Sequence, residues 1–304
     1  LFLSVSLAVY LACLSGPALA AKSTKAGVEG QVDCPDTVSM APKWSRSATY
    51  RDQPFAAGEE SRYELKYGAV EVHVGYGYLR VEKPLKYRIP VGTKDGKIIS
   101  EKRWHRVFSA EGYTGDWYKM IFAAHDKIQA FSRPWDFGAS KFYINQNEEK
   151  PFSREYRREK WLDFDHVGCK VDEREVRYHD EDKKKSGAFA LEPGATDALS
   201  ALFRLRTLTY EKGQAKKFLV YTSEKNWWLK ATPVAQETVK VAAGTFKTWK
   251  LRVRSYLGEE LQQRGKLFVW IANEHPNRPM VKVEGEVTFG NIYLHLDQYK
   301  PGSH

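Results

Sequence analysis

Apolar and polar residues alternate along most of this chain, and the period is that of strands. In "SRYELKYGAVEVHVGYGYLRVE", residues 61–82, Tyr63, Leu65 and Tyr67 alternate with polar positions, as do Val70, Val72, Val74, Tyr76 and Tyr78. The pattern predicts two strands that turn at Gly68, with Gly75 and Gly77 marking a kink or a close approach of backbones. "KYRIPVGTKDGKII" predicts a hairpin turning at Asp95-Gly96. Residues 141–187 alternate charge with aromatics, which predicts long, exposed antiparallel strands ending in a solvated charged turn at 180–185. Three further strand-rich stretches, 217–235, 237–258 and 265–296, are punctuated by Gly and Asn-Pro.

Two stretches depart from this rhythm. "ATDALSALFRLRTLTYEKG", residues 195–213, sets Leu199, Leu202, Phe203 and Tyr210 on one helical stripe. Thr196 or Asp197 can cap its start, and Gly213 can close it. Arg206 falls in the middle of that stripe, and a buried guanidinium requires a partner. The candidates are a buried carboxylate, Glu59 or Asp197, and an anionic group on a ligand, since the planar fork suits either. "DWYKMIFAAHDKIQAFSRPWDF", residues 116–137, fits a helix and equally a hairpin turning at His125-Asp126.

Length and composition leave room for one large body. The 304 residues are 42% hydrophobic and 28% charged, enough for a sizeable core, and no fixed repeat or long linker divides them. The first twenty, "LFLSVSLAVYLACLSGPALA", are apolar and uncharged and end in Ala18-Leu19-Ala20. That is a signal peptide over residues 1–20 with cleavage near Ala20. A membrane anchor is disfavoured by the Gly16-Pro17 break. Lipidation at Cys13, giving an outer-membrane lipoprotein, is the other alternative, although Tyr10 stands where a lipobox wants Leu. Cys34 and Cys169 remain after cleavage and are candidates for one disulfide in an oxidising compartment. A net charge of +10 on an exported chain points to an envelope lipid or an anionic glycan and away from nucleic acid.

The sequence carries no recognisable catalytic signature. G-x-S-x-G, S-x-x-K, H-E-x-x-H and the phosphate-binding glycine loop are absent, and Gly75-Tyr76-Gly77 lacks the third glycine of a nucleotide fingerprint. In "DFDHVGC" strand alternation separates Asp163 and Asp165 from His166, which disfavours a metal site. Glu59-Glu60, Glu148-Glu149 and Glu259-Glu260 are carboxylate pairs of the kind glycoside hydrolysis needs, but nothing singles out an acid and a base. No catalytic residue, cofactor or metal is therefore predicted. Trp135, Trp227 and Trp228 suit a sugar face or a lipid headgroup, and one of the adjacent pair is expected in the core.

"PFAAGEESRYELKYGAVEVHVGYGYLRV", "DALSALFRLR", "AGTFKTWKLRV" and "LFVWIANEHPNRPMVKVEGEVTFGNIYLHL" together resemble, in order, an exported bacterial family known as domain of unknown function 3108. The resemblance covers roughly residues 55–296. It implies a periplasmic, β-rich protein of a Gram-negative bacterium, and it favours the hairpin at 117–131. The family pattern also places an Arg at position 206. The expected architecture is all-β: a strongly curved antiparallel sheet, barrel or half-barrel, with one packed α-helix. The expected organisation is a signal peptide (1–20), an N-terminal extension (21–54) and a single β-rich domain (55–304). The expected role is non-catalytic binding or envelope maintenance for an amphipathic or glycan-like, anionic ligand, with Arg206, Tyr210, Trp135, Trp227 and Trp228 as candidate contacts. The alternatives are an envelope polysaccharide or peptidoglycan hydrolase and a structural partner of an outer-membrane complex.

Overall fold

Strands dominate the computed structural model, which describes residues 43–119, 123–149, 156–178, 183–261, 265–287 and 290–303. The first half is a meander: β1 (Glu60–Tyr67), β2 (Val72–Lys94), β3 (Lys97–Thr114), β4 (Ala123–Ser132), β5 (Ala139–Glu149), β6 (Tyr156–Asp165), β7 (Lys170–Tyr178) and β8 (Lys183–Ala190). A single helical turn, α1 (Asp116–Lys119), joins β3 to β4. Helix α2 (Ala198–Thr207) follows β8. The second meander is β9 (Lys216–Thr222), β10 (Lys225–Val241), β11 (Gly244–Leu257), the two-residue β12 (Glu260–Leu261), β13 (Leu267–Ala272), β14 (Met280–Val287) and β15 (Gly290–Lys300).

Every strand pairing is antiparallel, and β15 pairs with β1, so both meanders form one sheet whose edges are β8 and β9. These edges meet across a seam. Thr196 makes a parallel bridge to Val220: its N–H donates to Leu219 O (3.0 Å) and its carbonyl accepts from Tyr221 N (2.8 Å). The Asn226 side chain accepts from Glu192 N (3.0 Å) and donates to Ala190 O (2.9 Å). The sheet therefore closes on itself around one core, as a curved sheet with a period-two apolar face must. Helix α2 lies inside it. Asp197 Oδ1 accepts from Ser200 N (2.8 Å) and caps the helix, and Phe203 stacks on Phe108 of β3 with ring centroids 4.0 Å apart. Phe55 meets both rings edge-on, at 5.5 and 5.6 Å.

Antiparallel alternation gives this barrel two distinct ends. Turns 68–71 and 223–224, α1 and the ends of β5 and β7 lie at one, called here the mouth. Turns 95–96, 133–138, 166–169 and 273–279 lie at the other, the base, together with the end of α2. Residues 43–59 cover the base, where the Tyr50 hydroxyl donates to Glu82 O (2.8 Å) and Phe55 is fully buried. The leader, Cys13, Cys34 and residues 21–42 of the extension lie outside the described residues.

Three sequence expectations are corrected. Strand β4 runs straight through His125-Asp126, and the chain turns earlier, between Thr114 and Ala123; Asp126 faces inward and accepts from Asn147 N (3.0 Å). Helix α2 stops at Thr207, where Leu208 is extended, so Tyr210 is off the helix; Gly213 sits in a turn at φ 81° and donates to Pro233 O (3.0 Å). Lys183–Lys185 belong to β8 and pair with β7; they are not part of a turn. Among the described residues no helix is long and apolar enough to cross a membrane.

Candidate functional site

The inner face of β5 to β8 changes character along its length. Near the base it is apolar: Phe142 on β5, Leu162 and Phe164 on β6, Val171 on β7. Toward the mouth the same inward rows become polar. Gln146 and Glu148 follow on β5, Arg158 and Lys160 precede Leu162 on β6, Glu173, Glu175 and Arg177 follow Val171 on β7, and Lys185 lies on β8. The register sets Gln146 opposite Arg158, Lys160 opposite Glu175 and Glu175 opposite Lys185. These rows wall a cavity of about 340 Å³ that opens at the mouth, floored by Ile128 and Ile144 and flanked by Ser223 and Glu224.

Charge inside this cavity is ordered. Glu175 is clamped by Arg158 (2.6 Å) and Arg177 (2.6 Å), and Lys160 bonds Glu173 (2.5 Å), which also accepts from the Tyr221 hydroxyl (3.0 Å). Burial works against a charged Glu175, but the two guanidiniums outweigh it and hold its carboxyl below the usual carboxylate range. Arg158 also donates to Gln146 Oε1 (2.9 Å), and Lys185 reaches Glu224 (3.1 Å). Four cations line the cavity with Glu175 and Glu224, and Glu173 behind them pairs with Lys160. Ser223 and Glu224 both have positive φ, 50° and 64°, the backbone of a two-residue hairpin turn that glycine or asparagine would adopt more readily. The result is a preorganised pocket with cationic walls and an aliphatic floor.

The residues singled out from sequence lie elsewhere and apart. Arg206 is at the base, where Nη1 and Nη2 donate to Glu59 at 2.6 and 3.0 Å. Its Nε donates to Arg278 O (3.0 Å) and Nη2 to Asn277 O (2.7 Å), and the Tyr299 hydroxyl donates to the same Glu59 (3.1 Å). The guanidinium is thus committed to protein groups that tie the helix, the lead-in and the 273–279 turn together. Asp197 is the helix cap and not its ion-pair partner. Tyr210 is buried and donates to Leu205 O (2.6 Å). Trp135 lies under Arg133 and Trp228 under Lys217, and Trp227 Nε1 donates to Thr222 O (3.0 Å). Trp227 and Trp228 are each half-buried, so neither is the core member expected of the pair. Cys169 is buried at the β6–β7 turn, and its expected bridge partner Cys34 lies outside the described residues.

Adjacent glutamates take separate fates. Glu59 faces the core, while Glu60 faces outward and pairs with Arg80 (2.5 Å). Glu148 is buried and Glu149 exposed, and Glu259 and Glu260 are both exposed. Among the described residues no group of three or more His, Cys, Asp or Glu side chains could hold a metal ion. Sequence reasoning missed the cavity residues because it read 141–187 as exposed strands. The signal was an i, i+2 row of Arg158, Lys160, Leu162 and Phe164, charged at one end and apolar at the other.

Comparison with known proteins identifies the family. The family model described as protein of unknown function (DUF3108) matches residues 62–297, and the chain belongs to that family. Among solved structures it is similar to a β-barrel-like protein of domain of unknown function DUF1849 from Brucella abortus, with a TM-score of 0.46 and 6% identity over 81% of this chain and 98% of that one. It is also similar to a protein of YmcC-like fold from Bacteroides fragilis, with a TM-score of 0.32 and 11% identity over 82% of this chain and 98% of that one. No curated protein matches.

Proposed function

We propose that this DUF3108 protein is an exported, non-catalytic binding protein of the cell envelope, whose mouth cavity takes the anionic head of an amphipathic ligand. The observation that carries the reading is the cavity itself: Arg158, Lys160, Arg177 and Lys185 surround it, and Ile128 and Ile144 form its floor. Guanidinium forks and ammonium groups on rigid strands suit phosphate or carboxylate, and their ion pairs fix them before a ligand arrives. The surrounding rim supports an apolar portion. Tyr67, Val70, Val72, Trp117 and Tyr156 are exposed there, Trp117 by 86%. They stand at the β1–β2 turn and the strand ends beside it, on α1 and at the start of β6, all at the mouth, so an acyl or other apolar chain leaving the cavity meets apolar surface.

Calorimetric titration with a short-chain phosphatidylglycerol, below its micellar concentration, tests this reading against the matching phosphatidylcholine. Saturable binding of the anionic lipid, weakened about tenfold or more by Arg177→Gln with Lys185→Gln, is the expected result. Absence of binding, or equal binding of the choline lipid, overturns it.

A further inference from the structure

Much of the barrel wall neutralises its charges in pairs, and the outer ends of β2 and β3 do not. Arg62 meets Asp297 (2.6 Å), Arg80 meets Glu60 (2.5 Å) and Glu111 (2.9 Å), and Arg174 meets Asp163 (3.1 Å). Beyond Glu82 and Arg106, β2 and β3 continue as a two-stranded arm, from Leu85 opposite His105 to Lys94 opposite Lys97. β1 pairs with β2 only as far as Arg80, and β4 reaches only to Arg106, so no third strand accompanies the arm among the described residues. Ten residues of extended chain make it about 30 Å long.

The arm is two-faced. One face turns toward the barrel: Ile89 and His105 are buried, and the Tyr87 hydroxyl donates to Asp163 (2.7 Å) while its ring packs on Phe131 (5.8 Å). The other face carries Lys86, Arg88, Lys102 and Trp104. With Lys83 at the root and Lys94 and Lys97 at the tip, six exposed cations join Trp104 on this short element. None of Lys83, Lys86, Arg88, Lys94, Lys97 and Lys102 forms an ion pair among the described residues; Glu101, the carboxylate nearest in sequence to Lys102, is taken by Arg103. Arg88 stands directly opposite Lys102, and Lys94 opposite Lys97, an arrangement of like charges that works against strand pairing. Exposed apolar side chains are interleaved with them: Ile98 at the tip, 49% exposed, and Leu85 at the root, 48% exposed.

We infer that this arm docks the protein on an anionic phospholipid surface, with its tip leading. Unpaired lysines gather the negative headgroups, and the Arg88–Lys102 repulsion is relieved when anions lie against that face. Ile98, next to Lys97 at the tip, sets an apolar group at the depth where such side chains enter the headgroup layer, while Trp104 beneath Lys86 (5.1 Å) and Arg46 (5.8 Å) packs the cations at the root. A soluble polyanion would use the cations and have no use for Ile98. The arm extends from the base of the barrel, the end opposite the mouth, and the inference does not rest on the cavity reading.

Co-sedimentation with vesicles of phosphatidylcholine containing about one third phosphatidylglycerol, at about 0.1 M salt, tests it. The protein is expected to partition onto these vesicles and not onto pure phosphatidylcholine. Lys94→Glu with Lys97→Glu is expected to lower the partition coefficient about tenfold or more, and Ile98→Ser severalfold. Both substitutions are at exposed positions, and an unchanged thermal midpoint verifies folding. Lack of binding to the anionic vesicles, or a charge-reversed variant that binds as well as the parent, overturns the inference. Undiminished vesicle binding by Ile98→Ser, together with equally tight binding of the parent to a duplex DNA, assigns the arm to polyanions in general and also overturns it. Titration of the arm variants with the short-chain lipid reads the cavity separately.

Discussion

Two buried ionisable residues in the interior have opposite consequences. Burial disfavours a charged Arg206, but Glu59 outweighs that loss and holds the guanidinium above its ordinary pKa. Removing one partner leaves the other charged and buried. Arg206→Met and Glu59→Leu are each expected to destabilise the protein by about 3–5 kcal/mol in urea unfolding. The double variant should lose at least about 2 kcal/mol less than the sum of the singles, because no lone charge is left behind. Strict additivity would show that the two groups are not coupled. Asp197 has no such cation. Burial raises its pKa from 3.8 to about 6, and Oδ2 has no hydrogen-bond partner. Between those values the native state holds a proton that the unfolded chain releases, so Asp197 subtracts stability as pH rises through that window. His105, lowered by burial to about 4, acts in the opposite direction over an overlapping range, since the unfolded chain protonates first as pH falls. Comparison with Asp197→Asn, which keeps the cap, isolates the carboxyl. The advantage of the variant over the parent is expected to grow from pH 4 to pH 6 by on the order of 2–3 kcal/mol. A difference that stays flat with pH would rule this out.

Strand existence was legible in the sequence because one buried face imposes a period of two, and Tyr63, Leu65, Leu79 and Val81 obey it. Where one chain passes close over another, pairing geometry adds a demand that sequence only hints at. A Cβ at Gly75 would lie 2.2 Å from Tyr113 O, whereas at Gly77 the nearest atom is Glu111 O at 3.8 Å. Gly75→Ala is therefore expected to lower stability by about 2 kcal/mol or more, and Gly77→Ala to stay within about 1 kcal/mol of the parent, as thermal unfolding would show. Equal effects would mean that strand propensity, not contact, sets the cost. Element ends were harder to read. Leu208 and Tyr210 are apolar and keep the helical spacing, yet the chain has left the helix and both pack without it. At 116–137 the alternation continues through Ala123 and Ala124 while a carboxylate, Asp126, occupies an inward position, so the pattern offered a turn where the strand runs on. The cavity was illegible for a related reason. Arg158 and Lys160 look like outward residues until the pairing of β6 with β7 brings them diagonally onto Glu175 and Glu173.

At the scale of the molecule, closure distinguishes a barrel from a bent sheet, and closure here depends on few contacts. Among the described residues thirteen strand pairings, besides the short β11–β12 pair, hold the rest of the wall through backbone ladders. The seam between β8 and β9 has one bridge at Thr196 and the Asn226 amide, which stands in for a missing strand neighbour by bonding both Glu192 N and Ala190 O. Sequence could not announce this, since Asn226 precedes a tryptophan pair and lies 34 residues from the amide it accepts from. The seam also flanks the mouth cavity, because Ser223 and Glu224 lead into Asn226 and Lys185 lies on β8. Asn226→Ala leaves two backbone groups without their partner and is expected to cost about 1–3 kcal/mol. Hydrogen exchange should show the loss locally: the amides of Glu192, Thr196 and Tyr221 exchange faster, while those in the β1–β15 ladder on the far side keep their protection. The same opening loosens Lys185 and Glu224, so affinity for the short-chain anionic lipid should fall in parallel. Uniform acceleration across the sheet would instead mean that the barrel opens only by global unfolding, with the seam no weaker than its ladders.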